Sequence, residues 1–171
     1  MPRFKVYVDG SYNKEKKEIY GAFVTLYDEV PVMIYRVTTK NPIFADQWNV
    51  GGELLAAAAG IVNTINCLKE ARENGTCKDT AIVVFHDFIG IQNFIVPPKV
   101  GKKPWTPKNK EGAGAYYKNM VELVLEQNYP LKVRFEKVRA HTGVKWNEFA
   151  DKIAGGYIKS YNGLQLIEQT I

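Results

Sequence analysis

Apolar and polar residues alternate along three stretches near the start of the chain, which is the pattern of β-strands with one buried face. The predicted strands are Phe4 to Val8, Ile19 to Tyr27 and Val32 to Thr39. The first strand is expected to end at Asp9, so that Asp9 lies in the strand or at its end, and the polar run from Gly10 to Glu18 is expected to form a turn. A second turn is expected around Asp28-Glu29, so the three strands should form an antiparallel meander.

Helical spacing of apolar residues appears after this meander, interrupted by two further strands. The predicted helices are Glu53 to about Glu73, Ile89 to Ile95, Tyr116 to Gln127 and Asn147 to Ile158. The predicted strands are Thr80 to Phe85 and Leu131 to Val138. The first of these two strands is continuously apolar, as buried parallel strands are. The order indicates an α/β protein, and the tail after Tyr157 carries no clear pattern.

Composition adds that the chain is globular and basic. With 171 residues, of which 46% are hydrophobic and 24% charged, residues 1–171 are predicted to form a single domain. The formal net charge of +5 favours a polyanionic partner such as nucleic acid or an anionic membrane. A basic soluble protein with no such partner is equally compatible with that charge.

The cellular compartment is expected to be the cytoplasm. Cys67 and Cys77 are too few for a disulfide framework, so reduced thiols are expected. The N-terminus enters a strand at once, which argues against a signal peptide. No apolar run reaches the length of a membrane span, so no membrane partner is expected.

Four acidic residues stand at the ends or first turns of these elements, where ligands bind in open α/β sheets. They are Asp9, Glu53, Asp87 and Asp151, and His141 precedes the last of them by ten residues. For the carboxylates to converge, the first and fourth strands must be neighbours. Each residue also has an ordinary explanation as a turn, cap, helix-dipole, surface or loop residue, and His86 is interpreted as a loop histidine without a role.

A carboxylate cluster of this kind requires a cation. Two carboxylates 4 Å apart repel by roughly 4 kcal/mol at an effective dielectric near 20. Oxygen ligands select hard ions, so Mg²⁺ is expected, with Mn²⁺ as a substitute. Two such ions would activate a water and stabilise the leaving oxygen in phosphodiester cleavage.

Four segments, DGS, NxxGELLA, DFxGI and AHTGxxxNxxAD, together resemble the successive motifs of type 1 ribonuclease H. The resemblance covers Phe4 to about Tyr157. It implies the ribonuclease H-like α/β fold, a five-stranded mixed sheet of three antiparallel strands then two parallel strands, flanked by helices. It also implies endonucleolytic hydrolysis of the RNA strand of RNA–DNA hybrids, leaving 5′-phosphate and 3′-hydroxyl ends.

The resemblance further implies roles for individual residues. The metal-binding carboxylates would be Asp9, Glu53, Asp87 and Asp151, with Asp9 shared by two ions. His141 would assist proton transfer or product release. Contacts to the hybrid would come from a further set, namely Ser11, Asn49, Gly51 and Gly52.

The sequence departs from the usual family pattern on both sides of the site. Gln47-Trp48-Asn49-Val50 replaces the usual Thr-Asn-Asn-Arg before the glutamate, and a bulky Phe88 follows Asp87. The second departure resembles a bacterial subgroup often fused to a viroplasmin-like hybrid-binding domain, which this chain is expected to lack because Asp9 is so near its start. Hybrid affinity is then expected to come from the catalytic domain or a partner.

The segment from Pro97 to Lys110 is a candidate for that affinity. Lys102, Lys103 and Trp105 are its predicted substrate contacts, the lysines on phosphates and the tryptophan on sugar or base. In the family a basic helix-loop in this interval often binds the DNA strand. A solvated loop anchored to the core by Trp105 is the alternative.

The leading hypothesis is a metal-dependent ribonuclease H that acts on RNA–DNA hybrids with no small-molecule cofactor, and a monomer is the default. Two alternatives stay open: a non-catalytic nucleic-acid-binding adapter on the same fold, and a nuclease for another substrate.

Overall fold

The protein forms a mixed β-sheet with helices on both faces. The computed structural model describes residues 1–45, 47–107, 112–139 and 143–171. The strands are β1 (Phe4–Asn13), β2 (Glu18–Tyr27), β3 (Val30–Thr38), β4 (Ala81–His86), β5 (Lys132–Lys137), β6 (Ser160–Tyr161), β7 (Leu164–Gln165) and β8 (Ile167–Thr170). The helices are α1 (Pro42–Ala45), α2 (Trp48–Glu73), α3 (Gly90–Asn93), α4 (Ala113–Gln127) and α5 (Lys145–Ala154).

The main sheet has the strand order β5-β4-β1-β2-β3-β8. Strands β1, β2 and β3 pair antiparallel, whereas β4 pairs parallel with β1 and with β5. The predicted α/β fold is confirmed, as is the predicted contact between the first and fourth strands. The predicted count of five strands is short by one, because β8 pairs parallel with β3. Its exposed residues carry no burial pattern that would mark a strand in the sequence.

The first strand is longer than predicted. It continues through Gly10 and Ser11 to Asn13, paired residue for residue with β2, so the turn is confined to the four residues between the strands. Asp9 therefore lies inside the strand, four residues before its end. Gly10 and Ser11 are residue types that often form turns, but here they are extended because β2 supplies hydrogen-bond partners along the whole length of β1. Pairing between strands thus overrides the local preference of these residues.

The long helix α2 begins at Trp48, five residues before its predicted start at Glu53. Gly51 and Gly52, which weaken a helical pattern in the sequence, are buried inside it. The predicted end is confirmed, since the helix stops at Glu73 and Gly75 adopts a φ of +73°. This helix is long and apolar enough to cross a bilayer by composition, but it is mostly buried, as core helices are.

The two faces of the sheet have separate cores. On one face α2 and α4 pack over β1, β2 and β4, with a buried hydrogen bond of 2.8 Å between the hydroxyls of Thr25 and Thr64. On the other face α5 packs through Ile153 and Ala154 against β2 and β3. Helix α5 ends at Ala154, four residues before its predicted end at Ile158, because Gly155 and Gly156 follow it and Gly156 has a φ of +85°. The other predicted elements are present with ends that differ by a few residues, whereas α1, β6 and β7 were not predicted.

Candidate metal centre and nucleic-acid interface

Three of the predicted carboxylates meet beside the neighbouring strands β1 and β4. Asp9 lies in β1, Glu53 in the second turn of α2, and Asp87 directly after β4. One carboxylate oxygen from each lies within 4.8 Å of the other two. Asp9 is buried, with 5% of its surface exposed, while Glu53 and Asp87 are half-buried. We call these three residues the carboxylate cluster.

The convergence of Asp9 and Asp87 follows from strand register. β1 and β4 run parallel, with Tyr7 opposite Phe85. If this register is continued for two residues, past the end of β4, it brings Asp87 opposite Asp9, which agrees with the short distance between their carboxylate oxygens. The order of the strands in the sheet therefore sets this half of the cluster.

Glu53 joins them because α2 lies directly on the backbone of β1. A Cβ added to Gly10 would stand 2.3 Å from the backbone nitrogen of Glu53, and one added to Gly52 would stand 2.8 Å from the carbonyl oxygen of Tyr20. Only glycine permits so close an approach of helix and strand. Gly10 and Gly52 thus set the distance between the two elements that carry Asp9 and Glu53.

Electrostatics in the carboxylate cluster favour the binding of a cation. Burial, followed by the charge of Asp87, raises the pKa of Asp9. Burial also raises the pKa of Glu53, with the charges of Asp9 and Asp87 adding to the effect. Oε2 of Glu53 is buried and has no hydrogen-bond partner within the described residues. An all-oxygen donor set with an unpaired buried oxygen fits a hard divalent ion, which would offset the repulsion.

The fourth predicted carboxylate, Asp151, lies outside the cluster. It is exposed on α5, although its charge contributes to the raised pKa of Asp9, so it acts on the cluster at longer range. His141 lies outside the described residues. The roles of both stay predictions.

The residues predicted to contact the hybrid around the start of α2 differ in how exposed they are. Asn49 is exposed and Ser11 is half-buried, whereas Gly51 and Gly52 are buried. A Cβ on Gly51 would stand 1.9 Å from the carbonyl oxygen of Phe44. The two glycines therefore have a packing role that the sequence did not indicate, and their predicted contact with substrate stays a prediction.

The described part of the basic segment, up to Pro107, contributes Trp105, Thr106 and Pro107 to a groove that is also lined by Gln47, Val50 and Leu54. Lys102 and Lys103 are exposed, and Trp105 is 40% exposed. The backbone N–H of Trp105 donates to Asn93, and its ring meets that of Phe94 edge-on at 5.9 Å. Trp105 thus anchors the segment and also lines the groove, and its predicted contact with substrate stays a prediction.

His86 is a residue whose importance the sequence did not reveal. It is the last residue of β4 and fully buried, so its interpretation as a loop histidine is wrong. Its Nδ1 lies 3.0 Å from the carbonyl oxygen of Phe88, which can only accept, so Nδ1 carries the proton. Burial lowers the pKa of His86, which keeps the ring neutral. This hydrogen bond joins the residues on either side of Asp87 and stabilises the turn that carries the Asp87 side chain.

Comparisons with known proteins agree with this architecture. The RNase H family model matches residues 1–158. No curated protein matches the chain. RNase H1 from the halophilic archaeon Halobacterium salinarum is 16% identical, with 91% of this chain and 97% of that chain covered and a TM-score of 0.59. The N-terminal RNase H domain of a Mycobacterium tuberculosis protein, solved as a fusion with maltose-binding protein, is 15% identical, with coverages of 90% and 92% and a TM-score of 0.56.

Proposed function

Because the chain belongs to the RNase H family, we propose that it is a metal-dependent endonuclease that hydrolyses the RNA strand of RNA–DNA hybrids. The observation that carries the proposal is the carboxylate cluster, three acids from three separate elements with oxygens within 4.8 Å of one another. Three carboxylates this close together repel one another, and a non-catalytic adapter would gain nothing from that repulsion. The family match supports the ribonuclease class, and the cluster supports metal-dependent chemistry.

The carboxylates of Asp9, Glu53 and Asp87 would hold the metal, and Asp151 would reach it from the solvent side. When bound there, two Mg²⁺ ions, or Mn²⁺ in their place, supply an activated water and charge stabilisation for in-line displacement at the scissile phosphate. Asp9, the most buried of the three acids, would be the ligand that both ions share. His141 would assist proton transfer or product release, and the products would carry 5′-phosphate and 3′-hydroxyl ends.

Recognition of the hybrid would come from both sides of the cluster. Asn49, which is exposed in the first turn of α2, would contact the RNA 2′-hydroxyl, the group that distinguishes RNA from DNA. Lys102 and Lys103 would neutralise phosphates of the DNA strand, and Trp105 would pack on a sugar or base. We further expect a monomer that works in the cytoplasm without a small-molecule cofactor.

The deciding experiment is cleavage of a short labelled RNA–DNA hybrid with Mg²⁺, with and without chelator. Asp87→Asn should abolish cleavage while hybrid binding persists. Glu126→Gln changes an exposed acid near the end of α4 that is not part of the cluster, so it is the matched control and should cut like the wild type. Cutting restricted to the RNA strand and lost with chelator is the expected result.

Two outcomes would replace the proposal. Tight hybrid binding without cutting, in Mg²⁺ and in Mn²⁺, would indicate the adapter. Equal cutting of double-stranded RNA or double-stranded DNA would indicate a nuclease with another substrate.

A further inference from the structure

An exposed pair of aromatic rings stands at the start of α2. Trp48 is the first residue of the helix, and 64% of its surface is exposed. Its ring stacks on that of Tyr12 in β1, with 6.2 Å between centroids and 30° between planes. Tyr12 is partly buried and packs against the main core, so it is a fixed support under a mostly exposed tryptophan.

Folding does not account for a tryptophan at this position. Trp48 has a φ of +52°, a conformation that a bulky residue adopts only with strain. Burial of the ring does not offset the free-energy cost of that strain, because the ring is mostly exposed. Strained residues of this kind concentrate at functional sites. Gly51, by contrast, is explained by packing, since a Cβ there would meet the carbonyl oxygen of Phe44.

The pair lies within reach of a strand bound at the carboxylate cluster. Tyr12 is three residues beyond Asp9, about 10 Å along β1. Trp48 is five residues before Glu53, about 7–8 Å along α2. With roughly 3.4 Å between successive phosphates along the duplex axis, these lengths correspond to two or three nucleotides.

Exposed lysines line a groove whose walls come from chain segments next to both aromatic residues. Lys16, Lys17 and Lys40 line this groove at the end of the β1–β2 hairpin, and Lys16 and Lys17 are close in sequence to Tyr12. No ion pair involves these lysines in the part of the chain that the structure describes. Glu18 also lines the groove, where its carboxylate accepts a hydrogen bond from a tyrosine hydroxyl. Exposed lysines next to aromatic rings are the combination that binds a nucleic-acid strand.

We propose that the Tyr12–Trp48 pair is a second nucleic-acid contact, on which a sugar or base of the RNA strand packs two or three nucleotides from the cleaved phosphate. The proposal rests on the proposed function, because it places the scissile phosphate at the carboxylate cluster. It also gives a role to Trp48, whose exposure and positive φ folding does not explain.

Trp48→Gly is the sharpest test, because glycine adopts a positive φ without strain. The variant should be at least as resistant to urea as the wild type, and yet bind a labelled hybrid about tenfold more weakly. Trp48→Phe should retain most of the affinity. Tyr129→Ala is the control, since Tyr129 is 86% exposed at the opposite end of the sheet. Binding is measured by fluorescence anisotropy in an Asp87→Asn background, so that the substrate stays intact.

In otherwise wild-type protein, Trp48→Gly should raise KM and leave kcat unchanged, because the contact is remote from the reacting phosphate. Unchanged affinity in Trp48→Gly would overturn the second contact, and cleavage by the wild type would still stand. Lost affinity in a protein that never cuts would support the contact and refute the proposed activity. A wild type that does not bind the hybrid would overturn both.

Discussion

Gly10→Ala tests whether the close approach of α2 to β1 builds the carboxylate cluster. The added methyl group would stand 2.3 Å from the backbone nitrogen of Glu53 and 2.6 Å from the carbonyl carbon of Gly52. Both are backbone atoms, which cannot rotate away as a side chain can. The helix and the strand must therefore move apart, and Glu53 must move with the helix.

The size of the effect follows from these distances. Ordinary contacts begin at 3.4 Å, so relief requires a separation of about 1 Å. Overpacking of this kind costs about 1–3 kcal/mol of folding free energy. The lower entropy of the unfolded alanine chain offsets about 0.4–1 kcal/mol of that. Because a displacement of about 1 Å at a reacting centre can lower the rate about 100-fold, activity should fall far more than stability.

Urea denaturation and single-turnover hybrid cleavage measure the two effects separately. Gly60→Ala is the matched control, since Gly60 lies on the same face of α2, and an added Cβ there would stand 3.1–3.2 Å from side-chain atoms of Val6, Val8 and Phe23. Those side chains can adjust, and alanine favours the helix by about 1 kcal/mol. Gly60→Ala should therefore be near neutral in stability and active.

The reasoning fails if Gly10→Ala cuts at the wild-type rate with wild-type dependence on Mg²⁺. It also fails if Gly60→Ala loses activity to the same extent, because the effect would then belong to general packing of the helix and not to the position of Glu53.

Three further predictions follow from the energetics of the fold and site. Without metal, lowering the pH from about 8 to about 5 should stabilise the protein against urea, because burial raises the pKa of Asp9 and Glu53 and the folded state then binds protons that the unfolded state releases. Glu53→Gln, or saturating Mg²⁺, should flatten that slope. Thr64→Val should cost about 1–3 kcal/mol in urea denaturation by leaving the buried Thr25 hydroxyl unpaired, and adding Thr25→Val should recover most of the loss. Arg36→Met should cost about 1.5–3 kcal/mol in the same assay, since its guanidinium donates to the last turn of α5 at 3.1 Å.

Each of these predictions has an outcome that contradicts it. A pH slope that Glu53→Gln leaves unchanged would assign the titration to other groups. A double threonine variant no more stable than Thr64→Val would show that packing, and not the hydroxyl pair, sets the cost. Wild-type stability in Arg36→Met would show that α5 is held by its apolar face alone.

The order of strands and helices was predictable because each interior element buries one face. Apolar residues therefore recur along the sequence with the period of a strand or of a helix. The predicted ends were less accurate where glycine and polar residues occur inside an element. β1 runs on through Gly10 and Ser11, and α2 begins before Gly51 and Gly52. The local sequence at these residues favours a turn or the start of a helix. Contacts with residues distant in the chain instead keep them inside a strand and inside a helix.

The strand β8 could not have been predicted, since none of its residues is buried and its hydrogen bonds go to β3, more than a hundred residues earlier. His86 was misjudged for a related reason. Its sequence context shows a histidine at the end of a strand, while its burial and its hydrogen bond to Phe88 exist only in the folded chain.

The sequence by itself determined the class of fold, the family resemblance and the identity of the acids, because those depend on residue type, period and order along the chain. The tertiary structure decided which acids meet. Asp9, Glu53 and Asp87 converge because parallel strand register and glycine contacts bring distant backbones together, whereas Asp151 stays exposed on α5. Distances between elements depend on packing of the whole chain, and no local pattern encodes them.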